Sequence, residues 1–275
     1  MLEGSPRLRR RVTMEEDKLA EIAIIGGTGL EDLLEGAERV TVGTPYGFPP
    51  QISIGDVGGR RVAFLPRHGR RHTTPPHMVN YRANIYALHK IGVDRIIATN
   101  AVGAINTGFK PGDLVVPHDL VDFTKGRVST FYDGSPVTHI DFSEPYCPEI
   151  RRLLIEKAEE AGVRVWNRAV YVCTEGPRYE TPAEIRIFKM LGCDVVGMTG
   201  VPEAVLAREL EVCYATLCFV SNMAAGISGR VTSKEVIDAS KRVTPKIKKV
   251  LMETVKNLPR KRSCPCAQAL KEARV

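Results

Sequence analysis

Two short loops rich in glycine and threonine are the first residues in this sequence that could do chemistry. Gly26-Gly27-Thr28-Gly29 follows an apolar run near the start of the chain, and Met198-Thr199-Gly200 follows another run much later. Backbone N–H groups and a threonine hydroxyl on a tight loop after a strand can bind an anion. The first loop is not a dinucleotide fingerprint, because Asp32 stands where the third glycine would be. The two loops therefore predict the two halves of one oxyanion or phosphate site.

A cluster of basic residues, Arg67-His68-Gly69-Arg70-Arg71-His72, follows the apolar residues 62–65. Taken singly, such residues are more often surface ion pairs or hydrogen-bonded core histidines. Their position at a strand end, where Arg67 is expected to be exposed, favours anion binding, because the arginine fork matches phosphate geometry. A metal site at His68, His72 and His77 is disfavoured, since these histidines share a loop that contains glycine and proline and no carboxylate accompanies them.

Alternating strands and helices must position these loops. Apolar runs predict strands at residues 22–25, 62–65, 95–99, 114–121, 169–173 and 212–220, and helical periodicity predicts helices at residues 79–91, 148–161, 182–191, 202–209 and 233–255. This order predicts an α/β sheet covered by helices on both faces. Ligands of such sheets bind beyond the carboxyl ends of the strands, which adds Asn100 and Ala101 to the anion-binding candidates.

Length and composition favour one globular domain. The chain has 275 residues, of which 43% are apolar, enough for a substantial core. No apolar run approaches the ~18 residues of a membrane span. The arginine-rich start lacks the apolar segment of a secretory signal, so a cytoplasmic protein is expected. Residues 1–18 and 259–275 lack periodicity and are predicted to be tails that flank a domain of residues 19–258.

The net charge of +7 raises the possibility of a nucleic-acid partner. Four arginines and one glutamate within residues 1–11 contribute +3 of it, and the rest is spread along the chain. A nucleic-acid-binding protein would use residues 7–11 and 260–262 as its footprint, but the sequence shows no recognition helix or aromatic platform. We therefore expect neither a nucleic-acid nor a membrane partner.

The chain has seven cysteines and no CxxC pair, so a zinc-ribbon or thioredoxin-like site is not indicated and no metal is expected. Reduced thiols are the ordinary state in the cytoplasm, whereas intracellular proteins of hyperthermophiles are often rich in disulfides. The scarcity of glutamine, with only Gln51 and Gln268, is typical of a thermophile. Cys264 and Cys266 are predicted to serve heat resistance, through a disulfide to each other or to another cysteine.

Several motifs occur in an order that resembles one family. They are Gly26 to Leu30, Arg67 to His72, Val79 to Ile85, His139 to Cys147, Glu175 to Arg178 and Met198 to Glu203. Between about residues 21 and 258 the chain closely resembles the methylthioadenosine phosphorylases of the trimeric purine nucleoside phosphorylase family. The resemblance implies a single domain with a mixed, twisted central sheet flanked by helices. It also implies a pentosyltransferase in which inorganic phosphate, as co-substrate and without a cofactor, attacks C1′ of a purine nucleoside while the purine leaves.

The resemblance assigns site residues as well. The phosphate-binding candidates are Thr28, Arg67, His68, Asn100, Ala101 and Thr199. Met198 is expected under the ribose, Tyr179 against the purine, and Asn222 at the purine N7, where it helps the leaving group accept a proton. Thr199 and Asn222 are thus the catalytic candidates. No covalent nucleophile is implied, so catalysis would rest on orientation of phosphate and stabilisation of developing charge.

The base pocket combines features of two branches of this family. The methylthioadenosine enzymes generally have serine at Glu180 and aspartate at Asn222 and Ala224, whereas the residues present here resemble the 6-oxopurine enzymes. An ionised glutamate accepts a hydrogen bond from N1–H of a 6-oxopurine, while adenine N1 would leave it unsatisfied, at ~1–3 kcal/mol. We predict conversion of 5′-methylthioadenosine to adenine and 5-methylthioribose-1-phosphate, with broad purine specificity that includes inosine and guanosine. The alternative is a 6-oxopurine nucleoside phosphorylase that acts on inosine, guanosine or methylthioinosine.

Two further residues are placed by the resemblance alone. Ser233 stands at the 5′ end of the nucleoside, where the 6-oxopurine enzymes have histidine and the methylthio branch has an apolar residue, so it favours neither. His139 is expected at the edge of a neighbouring subunit's nucleoside pocket. The resemblance therefore predicts a homotrimer or a hexamer built from two trimers.

Overall fold

The chain folds as alternating strands and helices. This computed structural model describes residues 10–11, 18–27, 30, 33–34, 36–70 and 72–275. The strands are β1 (Arg10–Arg11), β2 (Ile22–Gly26), β3 (Glu38–Thr41), β4 (Ile52–Val57), β5 (Arg60–Pro66), β6 (Arg95–Ala104), β7 (Leu114–Val115), β8 (Asp119–Phe123), β9 (Val165–Trp166), β10 (Val170–Thr174), β11 (Val195–Gly197) and β12 (Cys213–Met223). The α-helices are α1 (Tyr81–Lys90), α2 (Pro148–Glu160), α3 (Pro182–Met190), α4 (Gly200–Glu209) and α5 (Ser233–Asn257).

The strands of the described residues form one mixed sheet in the order β1-β3-β4-β5-β2-β6-β11-β10-β8, with β12 on the other edge of β6. At its centre β5, β2, β6 and β12 run parallel. Both faces of these central strands are buried. Ile22 and Ile24 pack into a core with α2 and α5, whereas Ala23 and Ile25 pack on the opposite face with α1 and α4. Burial on both faces is why these strands are nearly continuous apolar runs in the sequence.

β6 changes partner along its length. Its first residues pair in parallel with β2, from Arg95 to Ala98, and its last residues, Gly103 and Ala104, pair antiparallel with β11. Between these two stretches only β12 lies beside β6 among the described strand pairs. A change of partner of this kind opens a crevice in the sheet, which is the usual place for a ligand in an α/β protein.

The predicted fold, a single domain with a mixed sheet flanked by helices, is confirmed. All five predicted helices are present, with ends that differ by a few residues. The strand predicted at residues 114–121 is two strands, because Pro117 lacks the N–H that a continuous ladder needs. The strand predicted to end at residue 99 continues to Ala104, so Asn100 lies within a strand and not in a loop after it.

The chain termini are partly built into the domain. β1 pairs with β3, while the other residues before position 18 lie outside the described part of the chain. The segment 259–275 was expected to be a tail, yet it packs on the domain. Cys266 is buried and the backbone N–H of His139 donates to the Ala273 carbonyl at 2.7 Å. No helix of the described residues is long and apolar enough to cross a membrane.

Candidate active site

A cavity of about 540 Å³ lies at the crevice where β6 changes partner. Its walls come from the segments after β2, β5, β10 and β11, from the middle of β6 and β12, and from α5. Most of the residues predicted from the sequence line this one cavity: Arg67, His68, Asn100, Ala101, Tyr179, Glu180, Met198, Thr199, Asn222, Ala224 and Ser233. The fold thus brings the separate motifs of the sequence to one place.

Arg67 was expected at an exposed strand end with its fork free for an anion, and in this respect the prediction is wrong. Its side chain is 2% exposed and forms a two-pronged ion pair with Glu203, Nε to Oε1 at 2.5 Å and Nη2 to Oε2 at 2.9 Å. Nη1 also donates to the Thr99 carbonyl at 3.0 Å. The guanidinium still borders the cavity, so it meets a ligand with the N–H groups that Glu203 and Thr99 do not use.

His68 is a neutral imidazole in this setting. Burial, and then the positive charge of Arg67, lowers the pKa of His68 to about 4. Its Nδ1 lies 2.8 Å from the Thr74 carbonyl, which can only accept, so Nδ1 carries the proton. This tautomer leaves the lone pair on Nε2. His68 can therefore accept a hydrogen bond from a protonated oxygen of a bound oxyanion.

Asn100 and Thr199 are joined beside the start of α4. The Thr199 hydroxyl donates to Asn100 Oδ1 at 2.7 Å, and Asn100 Nδ2 donates to the Thr216 hydroxyl at 2.6 Å. Thr199 is the N-cap residue of α4 but its side chain makes no capping bond. The backbone N–H groups of Thr199 and Gly200 donate to the Tyr171 hydroxyl at 3.4 and 3.3 Å, so the start of α4 contributes the positive end of its dipole and not free N–H groups. Together with Arg67 and His68, these groups form the predicted anion-binding end of the site.

Glu180 and Asn222 bring a carboxyl and an amide to the cavity wall. Glu180 accepts from the Thr174 hydroxyl at 2.7 Å, and burial raises the pKa of its carboxyl. Asn222 follows an irregularity in β12, where the register with β6 shifts between Val220 and Asn222. Such a bulge re-aims a side chain. Asn222 Oδ1 accepts from Ser221 at 2.6 Å and its Nδ2 donates to the Met223 carbonyl at 2.8 Å, which leaves one N–H and one lone pair for a ligand.

Met198 lies in the loop after β11 and is held from two sides. Arg127, whose side chain is 2% exposed, donates from Nη1 to the Met198 carbonyl and from Nη2 to the Thr174 carbonyl. Gly176 has φ of 64°, and a Cβ there would lie 2.6 Å from the Met198 sulfur. Glycine is therefore required for this close approach. Tyr179, which is 38% exposed, lies at the rim.

One wall was missed by the sequence analysis. The face of α5 that borders the cavity carries Val236, Ile237, Ser240, Thr244 and Ile247. In the sequence these residues are part of an ordinary amphipathic helix, so nothing distinguishes them from core positions. Their position next to Ser233, at the start of the same helix, would have been the only signal.

Two predicted residues are not among the described residues that line the cavity. Thr28 lies outside the described residues, although its neighbour Gly27 lines the site. His139 is exposed and contacts the C-terminal segment through its backbone, away from the cavity of its own chain. The expectation that it serves a neighbouring subunit therefore stays a prediction.

A second cluster of reactive side chains lies away from this cavity. Cys147, Cys213, Cys264 and Cys266 place their sulfur atoms within 4.8 Å of one another, and Cys213 Sγ and Cys264 Sγ are 3.3 Å apart. Such a set of thiols can hold a soft metal ion or form disulfides. All seven cysteines of the chain are free thiols in the structure. The cluster joins the C-terminal segment to the core.

The family follows from the match along the chain. Residues 21–256 match the family model described as Phosphorylase superfamily. The chain belongs to this family. It is 52% identical over 264 residues to the 6-oxopurine nucleoside phosphorylase of Pyrococcus furiosus, an alignment that covers 93% of this chain and 99% of that protein. It is 51% identical over 259 residues to the probable S-methyl-5′-thioinosine phosphorylase of Methanopyrus kandleri, covering 94% and 100%.

Solved structures agree with the sequence relatives. A methylthioadenosine phosphorylase from an antarctic soil metagenomic library superposes on this phosphorylase with a TM-score of 0.87 at 37% identity, and the match covers 94% of this chain and 93% of that chain. The prediction of a purine nucleoside phosphorylase, hence a pentosyltransferase, is therefore confirmed. The names of the relatives include both the predicted methylthioadenosine activity and its 6-oxopurine alternative.

Proposed function

We propose that this phosphorylase cleaves 6-oxopurine nucleosides with inorganic phosphate as co-substrate and without a cofactor. The observation that carries the proposal is that Glu180 and Asn222 line the same cavity as the anion-binding end. Two of the relatives described above are named for 6-oxopurine or thioinosine substrates, which agrees with this assignment.

The part of the cavity wall formed by Glu180 and Asn222, here called the base end, suits a 6-oxopurine because its hydrogen-bond donors and acceptors match those of the base. Glu180 in its ionised form accepts from N1–H, which inosine and guanosine have and adenosine lacks. Asn222 retains one N–H that can donate to N7. When the C1′–N9 bond breaks and its electron pair passes to the purine, the Asn222 N–H that donates to N7 stabilises the negative charge on the leaving base.

The anion-binding end suits phosphate as the nucleophile. Arg67 offers two N–H groups, and neutral His68 offers an acceptor for a phosphate hydroxyl. A phosphate oxygen forms the new bond to C1′ on the face opposite the departing purine. The products are a pentose-1-phosphate and the free base. Positioning of the two reactants and stabilisation of charge would supply the rate enhancement.

The α5 wall supports a second candidate substrate. Val236 and Ile237 offer apolar surface beside the hydroxyls of Ser233 and Ser240, so the 5′ end can receive either a hydroxyl or a methylthio group. In methylthioinosine the 6-oxopurine matches the base end, and the methylthio group matches the apolar surface of the α5 wall. The methylthio group of methylthioadenosine also matches the α5 wall, but adenine N1 does not match an ionised Glu180. A protonated Glu180 would match it, and the raised pKa of Glu180 favours protonation.

We further infer that the active form is a homotrimer or a hexamer in the cytoplasm. His139 is exposed and does not line its own cavity, as expected of a residue that completes a neighbour's site. Ile187, Met190 and Leu191 at the end of α3 are exposed apolar side chains that a second copy could cover.

The test is phosphate-dependent release of base from inosine, guanosine, methylthioinosine and methylthioadenosine, measured side by side as kcat/KM. We expect the three 6-oxopurine nucleosides to exceed methylthioadenosine. A preference for methylthioadenosine by tenfold or more at neutral pH would contradict the proposed base specificity. The absence of any phosphate-dependent cleavage would contradict the proposal as a whole.

A further inference from the structure

We propose that Glu203 and Tyr214 are positioning residues for phosphate: they fix the guanidinium of Arg67 so that its remaining N–H groups and the start of α4 meet the same anion. The inference rests on the proposed function, because it assumes that this end of the cavity binds phosphate. It concerns side chains that lie behind the cavity wall. Neither Glu203 nor Tyr214 lines the cavity itself.

The hydrogen bonds around Arg67 leave it no freedom to turn. Arginine has five N–H groups, and Glu203 takes two of them while the Thr99 carbonyl takes a third. The Tyr214 hydroxyl donates to Glu203 Oε2 at 2.8 Å, which fixes the carboxylate in turn. Two N–H groups of the guanidinium are left for a ligand, and their direction is set by the three bonds that hold the others.

Because both charges are buried, each depends on the other as its partner. Arg67 is 2% exposed and Glu203 is 0% exposed, so neither charge can be satisfied by water. Burial alone would lower the pKa of Arg67, but the charge and hydrogen bonds of Glu203 raise it, so the guanidinium stays charged. Burial, and then the charge of Glu203, raises the pKa of Tyr214, so its hydroxyl keeps the proton that it donates.

The pair also joins two parts of the anion-binding end that are distant in sequence. Arg67 directly follows β5, whereas Glu203 is 136 residues later, one turn into α4 from the N-cap residue Thr199. The carboxylate therefore ties the end of β5 to the first turn of α4. Arg67 and Thr199 are thereby held in register as two contacts for one anion. Precise placement of this kind is what a catalytic site needs from its supporting residues.

A matched control exists elsewhere in the chain. Arg60 forms the same two-pronged ion pair with Glu21, Nε to Oε1 at 2.5 Å and Nη2 to Oε2 at 3.1 Å, and its Nη1 donates to a backbone carbonyl, that of Leu258. Arg60 is 4% exposed, yet neither member of this pair lines the cavity. If both pairs were purely structural, substitution of either carboxylate would change stability and leave the KM for phosphate unchanged.

The experiment compares Glu203→Gln and Tyr214→Phe with the control Glu21→Gln. Glutamine keeps the shape of glutamate but replaces one acceptor by an NH₂ group, so the Arg67 fork loses its partner. We expect the KM for phosphate to rise about ten- to a hundredfold in Glu203→Gln, because hydrogen bonds to charged groups contribute that much. The KM for inosine should stay within about twofold. Tyr214→Phe should raise the phosphate KM by a smaller factor, and Glu21→Gln should lower the melting temperature without changing either KM.

Phosphate binding without turnover separates this inference from the proposed function. Inorganic phosphate should raise the melting temperature of the parent protein and of Glu21→Gln, and raise that of Glu203→Gln much less. If the parent cleaves no nucleoside but shows this pattern, the proposed function fails while the positioning role stands. An unchanged phosphate KM and an undiminished stabilisation by phosphate in Glu203→Gln would overturn the positioning role. If that variant does not fold, the same two results in Tyr214→Phe decide the question.

Discussion

The double change Glu180→Ser with Asn222→Asp should move preference from inosine toward methylthioadenosine. Serine removes the carboxylate that accepts from N1–H of a 6-oxopurine and that leaves adenine N1 unsatisfied. Aspartate accepts from the 6-amino group of adenine but, when ionised, repels a 6-oxo group. Each mismatch is worth ~1–3 kcal/mol, or about one to two decades in the ratio of specificity constants. The two residues face the same base, so the two effects need not add.

The structure also gives the effect on stability. Loss of Glu180 leaves the Thr174 hydroxyl with the Gly197 carbonyl at 3.4 Å as an alternative acceptor, so this change should be mild. In contrast, Asn222→Asp would place a buried carboxylate oxygen where Nδ2 of Asn222 now donates to the Met223 carbonyl. We expect a loss of ~1–3 kcal/mol there. With an unfolding entropy of about 0.6 kcal/mol per kelvin for a chain of this length, the melting temperature should fall by about 2–5 °C.

The assay is kcat/KM for inosine and for methylthioadenosine with saturating phosphate, in the parent and in the double variant. Glu184→Ser is the matched control, since Glu184 lies four residues away, pairs with Arg178 and does not line the cavity. Its ratio of the two constants should equal that of the parent. A double variant whose ratio stays within about twofold of the parent would refute the reasoning and place base discrimination elsewhere, at Ser233 and the α5 wall.

The remaining predictions concern phosphate, acid, thiols and assembly. Arg67→Ala should raise the phosphate KM strongly. It should also destabilise the protein by ~3–5 kcal/mol, because it leaves the buried carboxylate of Glu203 without its partner. A folded variant with unchanged phosphate dependence would show that Arg67 does not bind phosphate. Burial raises the pKa of Glu180, so kcat/KM for inosine should fall on acidification at pH values where an ordinary glutamate is still ionised, and Glu180→Gln should abolish this limb. Because Cys264 or Cys266 is predicted to form a disulfide, thiol titration of the denatured, unreduced protein should find fewer than seven thiols. A count of seven thiols would contradict that prediction. His139→Ala should alter recognition of the 5′ group more than phosphate affinity, and solution scattering that shows an active monomer would contradict the predicted trimer.

The sequence by itself determined the central part of the fold and most of the site residues. β2, β5 and β6 are buried on both faces, so their apolar runs are readable without a structure. Loops after such strands must meet at one edge of the sheet, which is why small and basic residues there indicated an anion site. The strands β3 and β4 were missed because polar residues interrupt their apolar pattern.

Only the tertiary structure decided which side chains already have partners in distant parts of the protein. The pairing of Arg67 with Glu203 reverses the expectation of an exposed arginine, and 136 residues separate the two in sequence. The α5 wall and the four-cysteine cluster likewise join positions that no local pattern connects. Local sequence reports propensity and periodicity, whereas the partner of a buried charge depends on which elements the whole sheet places side by side.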